Sequence, residues 1–95
     1  MKLCWDEAKR KWTREERGLD FADAAAIFAG ERLAFPDIRF DYGEERWITV
    51  GLLVGRMMVV VWTPRAGGRH VISMRKANER EQKKFGQRLG QIGRP

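Results

Sequence analysis

The 95-residue chain has one cysteine, one histidine and three prolines. One cysteine closes no intramolecular disulfide, and Cys4 with His70 falls short of the three or four ligands that hold zinc. A metal site built on Cys and His is excluded, whereas a carboxylate-held magnesium is not. No apolar run approaches the ~18 residues of a membrane helix. The longest, Met57 to Trp62, has the length of a strand. The chain turns polar at Asp6 before an apolar signal region builds up, so a cytoplasmic protein without membrane contact is expected. There is no Gly-rich phosphate loop and no HExxH pair, and Gly67-Gly68 reads as a turn. Carboxylates are scarce in one half. Residues 46–95 hold 11 basic and 2 acidic side chains, against 8 and 11 in residues 1–45, so the net charge of +6 belongs to the second half.

What is present suffices for one small core. The length is below the usual ~100 to 150 residues of a domain, so residues 1–95 are read as a single domain, and 43% hydrophobic residues exclude disorder. After a short apolar opening, Leu3 to Trp5, Asp6 is a good N-cap for a helix over Glu7 to Arg17, with Trp5, Ala8 and Trp12 on one face and Gly18 as C-cap. Asp20 and Asp23 resemble a capping box for a second helix, whose stripe is Phe21, Ala24, Ala25 and Phe28 and which closes at Gly30. Pro36 reads as part of a helix-breaking stretch. Strands are expected over Arg39 to Tyr42 and, after a Gly43 turn, over Arg46 to Val54. A Gly55-Arg56 turn leads to the nearly all-apolar Met57 to Thr63, expected to be central or covered on both faces. Pro64 to Gly68 is read as the next turn.

The last expected strand is Arg69 to Lys76, with His70, Ile72 and Met74 on one face and Arg69, Val71, Ser73 and Arg75 on the other. Asn78 and Glu81 form a second capping-box-like start, and a charged helix follows over Glu79 to Leu89. Its thin stripe of Phe85, Leu89 and Ile92 predicts that it docks loosely or finishes its packing against a partner, and Gly90 to Pro95 should fray. The plan is α+β: a short strand, two N-terminal helices, an antiparallel sheet of three to four strands, and a C-terminal helix.

Arg46, Arg56, Arg65, Arg69, Arg75 and Lys76 fall at strand ends, turns or an exposed strand face. Cations there discourage edge aggregation, but a merely solubilising surface mixes both signs. A groove for phosphates is the sharper reading. Trp47 and Trp62 are expected in the core, with base stacking as the alternative. His70 is expected to be structural and Cys4 a buried small hydrophobe. If RNA is cleaved here without metal, attack by a 2′-hydroxyl needs a base, for which Glu45, Glu79 and His70 are candidates. It also needs an acid for the leaving oxygen and cations for the crowded phosphorane, a role that suits arginine.

Several stretches, in order, carry a resemblance: Trp5-Asp6-Glu7-Ala8-Lys9, Gly18 through Ala24, Phe28, Gly43-Glu44-Glu45-Arg46, Ile48-Thr49-Val50-Gly51, Val59 through Thr63, and Ile72 through Ala77. Together they resemble the BrnT toxins of bacterial type II toxin-antitoxin pairs and cover nearly the whole chain. The resemblance implies a fold similar to RelE-type ribonucleases and a metal-independent endoribonuclease that needs no cofactor and cleaves RNA to inhibit translation and growth. It also implies a BrnA-like ribbon-helix-helix antitoxin as partner, with operator DNA bound only through that antitoxin. Where the family commonly has Lys-His before the glycine matching Gly18, this chain has Glu16-Arg17, so no histidine role carries over. Arg46, Arg65, Arg75 and Glu79 fall where the family has basic residues and a carboxylate. The expected catalytic set is therefore Arg46, Arg65, Arg75, Glu79 and Glu45, with Arg56, Arg69, Lys76 and Arg80 binding RNA. A non-catalytic nucleic-acid-binding module and a pure interaction subunit are the alternatives.

Overall fold

The computed structural model describes residues 2–90. A three-residue strand β1 (Leu3–Trp5) leads to Asp6, whose Oδ1 accepts the N–H groups of Ala8 and Lys9 and starts α1 (Glu7–Arg17). Gly18 ends that helix at φ +67°, in the left-handed region that glycine enters without a Cβ penalty. Asp20 accepts the Ala22 N–H and starts a 3-10 turn, Phe21–Asp23, which runs into α2 (Ala24–Ala29). The face expected on α1 is not the one that packs: Trp12 is 52% exposed and Thr13 is the residue buried. In the second stripe Ala25 is exposed, and Ile27 takes its place in the core.

Four longer strands follow: β2 (Arg32–Pro36), β3 (Trp47–Leu53), β4 (Arg56–Arg65) and β5 (Gly68–Lys76). With β1 they form a five-stranded mixed sheet in the order β1-β5-β4-β3-β2, antiparallel except that β1 runs parallel to β5. The fold is α+β as expected, but the sheet has more strands than the sequence suggested and is not wholly antiparallel. β1 stands where a short opening strand was expected, but the sheet takes it in, parallel to β5. β2 was hidden by Pro36, which the ladder tolerates because β2 is an edge strand. Residues Arg39 to Tyr42, expected as a strand, form an irregular loop instead. The two hairpin turns are centred on Val54-Gly55 and Ala66-Gly67, all four residues with positive φ, so Pro64 and Arg65 still belong to β4.

Met57 to Thr63 lies within β4, the middle strand, and is covered on both faces. On one face Met58, Val60 and Trp62 of β4 join Leu53 of β3 and Val71 and Met74 of β5 beneath Phe21, Ala24, Ile27 and Phe28. On the other, Leu33, Phe35, Ile48, Val50, Met57 and Val59 meet Phe85 and Leu89 of α3 (Glu79–Gly90). The thin apolar stripe of α3 is nonetheless firmly seated. Leu89 is 2% exposed, Phe85 stacks on Phe35 with ring centroids 5.7 Å apart, and the Asn78/Glu81 capping box closes reciprocally at 2.9 and 2.8 Å. The expectation of loose docking is thus corrected; Ile92 and the tail beyond Gly90 lie outside the described residues.

One irregularity decides which cations share a face. Val61 pairs with Ser73, but Trp62 pairs with Val71, so Ile72 is an extra residue, a β-bulge. Val71 and Met74 therefore both enter the core beneath α2, and the alternation expected for Arg69 to Lys76 breaks in the middle. Arg69 falls on the α2 face and Arg75 on the α3 face. Among the described residues no helix is long and apolar enough to cross a membrane.

Candidate functional site

A cleft of about 460 Å³ opens on the α3 face of the sheet. Its floor is Ile48, Val50, Val59 and Val61, its aromatic wall is Phe35 and Phe85, and its rim holds Arg17, Arg39, Arg75, Arg80 and Lys84 with Ser73 and Glu81. These cations arrive from four places: the end of α1, the β2–β3 loop, β5 and α3. Arg17, Arg39 and Arg75 are held by hydrogen bonds. Arg17 Nη1 donates to the Met74 carbonyl at 3.0 Å. Arg39 donates Nε and Nη2 to Asp37 at 2.8 Å each, and the Tyr42 hydroxyl donates to the same carboxylate at 3.2 Å. The Asp37 carboxylate is fully buried, and the Arg39 guanidinium holds it down at about 2. The loop is thereby anchored from inside while Arg39 stays exposed.

Arg75 makes a bidentate pair with Glu81, both N–H···O distances being 2.8 Å. The guanidinium, opposed by burial, lowers the Glu81 carboxyl to about 2, and the Asn78 N–H lowers it further in the same sense. Glu81 raises Arg75 above its ordinary value in return. The resting cleft thus contains an ionised carboxylate locked to the guanidinium best placed over the sheet.

Of the expected site residues, the structure brings Arg75 and Arg80 into this cleft. Glu79 lies outside it, beside Asn78, Arg80 and Lys83. Arg46 and Arg65 meet elsewhere, both against Glu44 at 3.2 and 3.6 Å, with Arg46 3.8 Å above the Tyr42 ring. Glu45 accepts the Trp47 indole N–H and borders a groove shared with Arg69. Arg56 and Lys76 are exposed at the hairpin end of the sheet. The members of the expected catalytic set occupy three separate places and do not form one constellation. Arg17, Arg39, Ser73, Glu81 and Lys84, which line the cleft, were not among the expected residues. Glu81 was visible as a capping residue, and its pairing with Arg75 was the signal overlooked.

Cys4 also differs from expectation. Cys4 is exposed, its Sγ 3.2 Å from His70 Nδ1. Burial first, and then the Arg65 charge, pulls the imidazole below its ordinary value and keeps it neutral near pH 7. Trp47 and Trp62 are half-buried and stacked on each other rather than sealed in the core. Among the described residues no three His, Cys, Asp or Glu side chains converge as metal ligands would.

An apolar floor ringed by guanidinium and ammonium groups suits a polyanion whose bases rest on carbon while its phosphates meet cations. Comparison with known families agrees with that chemistry. No individual curated protein matches the chain. Residues 5–81 match the model described as the ribonuclease toxin BrnT of type II toxin-antitoxin systems. Since the match spans most of the chain, from β1 into the first turn of α3, this protein belongs to the BrnT family of ribonuclease toxins.

Proposed function

We propose that the chain is a metal-independent endoribonuclease that works in the cleft between the sheet and α3, as one domain with a RelE-like plan. The observation that carries this reading is the convergence of Arg17, Arg39, Arg75, Arg80 and Lys84 around Ser73 and Glu81. An RNA phosphate entering the cleft competes with Glu81 for Arg75. Once Arg75 turns to the phosphate, Glu81 loses the partner that held it near 2 and becomes a stronger base. Glu81 then takes the 2′-hydroxyl proton as the 2′-oxygen bonds to phosphorus. The bond from phosphorus to the 5′-oxygen breaks, that oxygen takes a proton from water, and the hydroxide left takes the proton held on Glu81, which restores the carboxylate. The products are a 2′,3′-cyclic phosphate and a 5′-hydroxyl. Arg75, helped by Arg39 and Arg80, stabilises the phosphorane as a preorganised donor. Arg46 and Arg65 flank the strand path.

Family membership implies a cognate antitoxin. We take it to be a BrnA-like ribbon-helix-helix protein whose acidic side chains cover the cleft and through which alone the pair binds operator DNA in the cytoplasm. The low Glu81 value gives one specific support to a binding module without catalysis. Incubating purified chain with RNA in EDTA and analysing the ends decides between them. Cyclic ends are expected, and Arg75→Ala should lower the rate ~100- to 1000-fold. Strict magnesium dependence, or a folded Arg75→Ala protein of full activity, would refute the mechanism.

A further inference from the structure

On the opposite face from Arg75, at the end of the sheet where β4 turns into β5, aromatic rings and cations meet a second time. Trp47 and Trp62 are cross-strand partners and stack with centroids 6.3 Å apart and planes 21° from parallel. The Trp62 indole is fixed by donating to Thr49 Oγ1 at 2.8 Å, and Phe28 of α2 meets its edge at 5.7 Å. The Trp47 indole is fixed by Glu45. The Arg69 guanidinium lies 4.1 Å from the Phe28 centroid and 5.0 Å from that of Trp62. An open groove of about 490 Å³ runs over this group, with Trp47, Trp62, Arg65 and Arg69 around the Ala66-Gly67 turn.

The polar side of Arg69 is unusual. Its Nε is buried without a hydrogen-bond partner, and among the described residues no carboxylate pairs with its guanidinium. Burial, and then the charge of Arg32, pulls the guanidinium below its ordinary value, so the surroundings favour an added anion there. Among the described residues the one carboxylate lining the groove, Glu45, is engaged by the Trp47 indole, and Glu44 reaches Arg65 from outside the groove at 3.6 Å.

We propose that this groove is a second nucleic-acid subsite, in which an unpaired base of single-stranded RNA stacks beside Trp47 and its phosphate meets Arg69 and Arg65. The proposal rests on the ribonuclease reading for the identity of the strand and adds where that strand goes after the cleft. Ser73, in the cleft, and Arg69 are four residues apart on β5, about 13 Å along the strand. Arg65 stands at the end of the sheet between the two faces, so one extended RNA chain can pass from the cleft around that end to the platform. Stacking on a fixed aromatic tolerates any base, because every base has a π-face. The platform therefore adds affinity and threading direction without sequence choice.

The test measures binding of a fluorescent octanucleotide of 2′-O-methyl RNA, which lacks the attacking hydroxyl, by anisotropy at fixed salt. Trp47→Ala should weaken binding about 5- to 150-fold, the range expected for loss of one stacked base, and Arg69→Gln should weaken it through loss of the phosphate contact. Trp47→Phe should keep most of the affinity, and tryptophan emission of the unaltered protein should be quenched on binding. Thermal melts identify variants that fail to fold, in which case Trp47→Phe, Arg69→Gln and the quench carry the test. Unchanged affinity in folded Trp47→Ala and Arg69→Gln proteins, or no quench, overturns the subsite. So does a Trp47 dependence seen with the antitoxin and not with RNA. If RNA ends show cleavage lost in Arg75→Ala while these variants bind normally, the subsite alone falls. If Trp47-dependent binding occurs and no RNA is ever cleaved, the subsite stands and the ribonuclease reading falls.

Discussion

Replacing Glu81 with Gln isolates the one ion pair on which both the cleft and the start of α3 depend. The amide keeps an oxygen to accept the Asn78 N–H, since Gln serves as well as Glu in a capping box. What it removes is the charge that faces Arg75 across two 2.8 Å bonds. A carboxyl that ionises at about 2 in the folded protein and at 4.5 when unfolded corresponds to about 3 kcal/mol of stability at most. The pair is partly open to water, with side-chain exposures of 41% for Arg75 and 22% for Glu81, so screening reduces this to about 1–2 kcal/mol. The sign follows from a lowered folded value. The contribution is complete above the unfolded pKa of 4.5 and fades as the pH falls from there toward 2. Urea unfolding of the original and E81Q proteins at pH 6.5 and pH 3 should show a difference of about 1–2 kcal/mol at the higher pH and less than half of it at the lower. The same variant should lose RNA cleavage yet bind uncleavable RNA as well as the original or better, because Arg75 is freed for phosphate. Equal destabilisation at both pH values, or undiminished cleavage, would refute the reasoning.

Other substitutions test the fold that presents the site. Val54 is 96% exposed with φ +49°, a β-branched residue in a type I′ turn position, so Val54→Asn should stabilise by about 1 kcal/mol and raise Tm by about 4–8 °C. A Cβ on Gly51 would lie 2.7 Å from Ile27 Cγ2, which is fully buried, so Gly51→Ala should destabilise by about 1–3 kcal/mol in urea unfolding. Gly86, inside α3 with open space around it, should gain about 0.5–1 kcal/mol as Ala in the same assay. Ending the chain after Lys84 removes Phe85 and Leu89 from the second core, so it should lower Tm itself and not only weaken antitoxin pairing; an unchanged Tm would contradict the packing of α3.

How much of this was legible from sequence depends on how local each feature is. Asp6, Gly18 and the Asn78/Glu81 box act on backbone groups within a few residues, and all three stand where they were read. β4 was readable because a middle strand is apolar on both faces. β2 was not, because Arg32-Leu33-Ala34-Phe35-Pro36 has one proline, and only its edge position makes that proline acceptable. Arg75 and Arg80 were legible as part of the basic half of the chain. Arg17 and Arg39 come from the acidic half, and only the tertiary fold brings them to the same cleft. Arg46 and Arg65 lie apart from Arg75 because adjacency along a basic stretch does not fix which end or face of a sheet a side chain occupies.

The extra residue at Ile72 makes β5 a strand with two reading frames. Residues 69–71 are in the frame that β1 reads, since the parallel ladder of Leu3, Cys4 and Trp5 ends at Val71. Residues 73–76 are in the other, which delivers Arg75 to Glu81. Removing Ile72 would leave Val71 opposite Trp62 and Ser73 opposite Val61 in a regular ladder, each half keeping its face. A second deletion would have no extra residue to absorb it, and one half of the strand would present its charged side chains to the core and its apolar ones to water. The bulge therefore gives the segment 68–76 one residue of slack in its length. Relatives that keep both faces in use should show a gap of one residue at Ile72 at most.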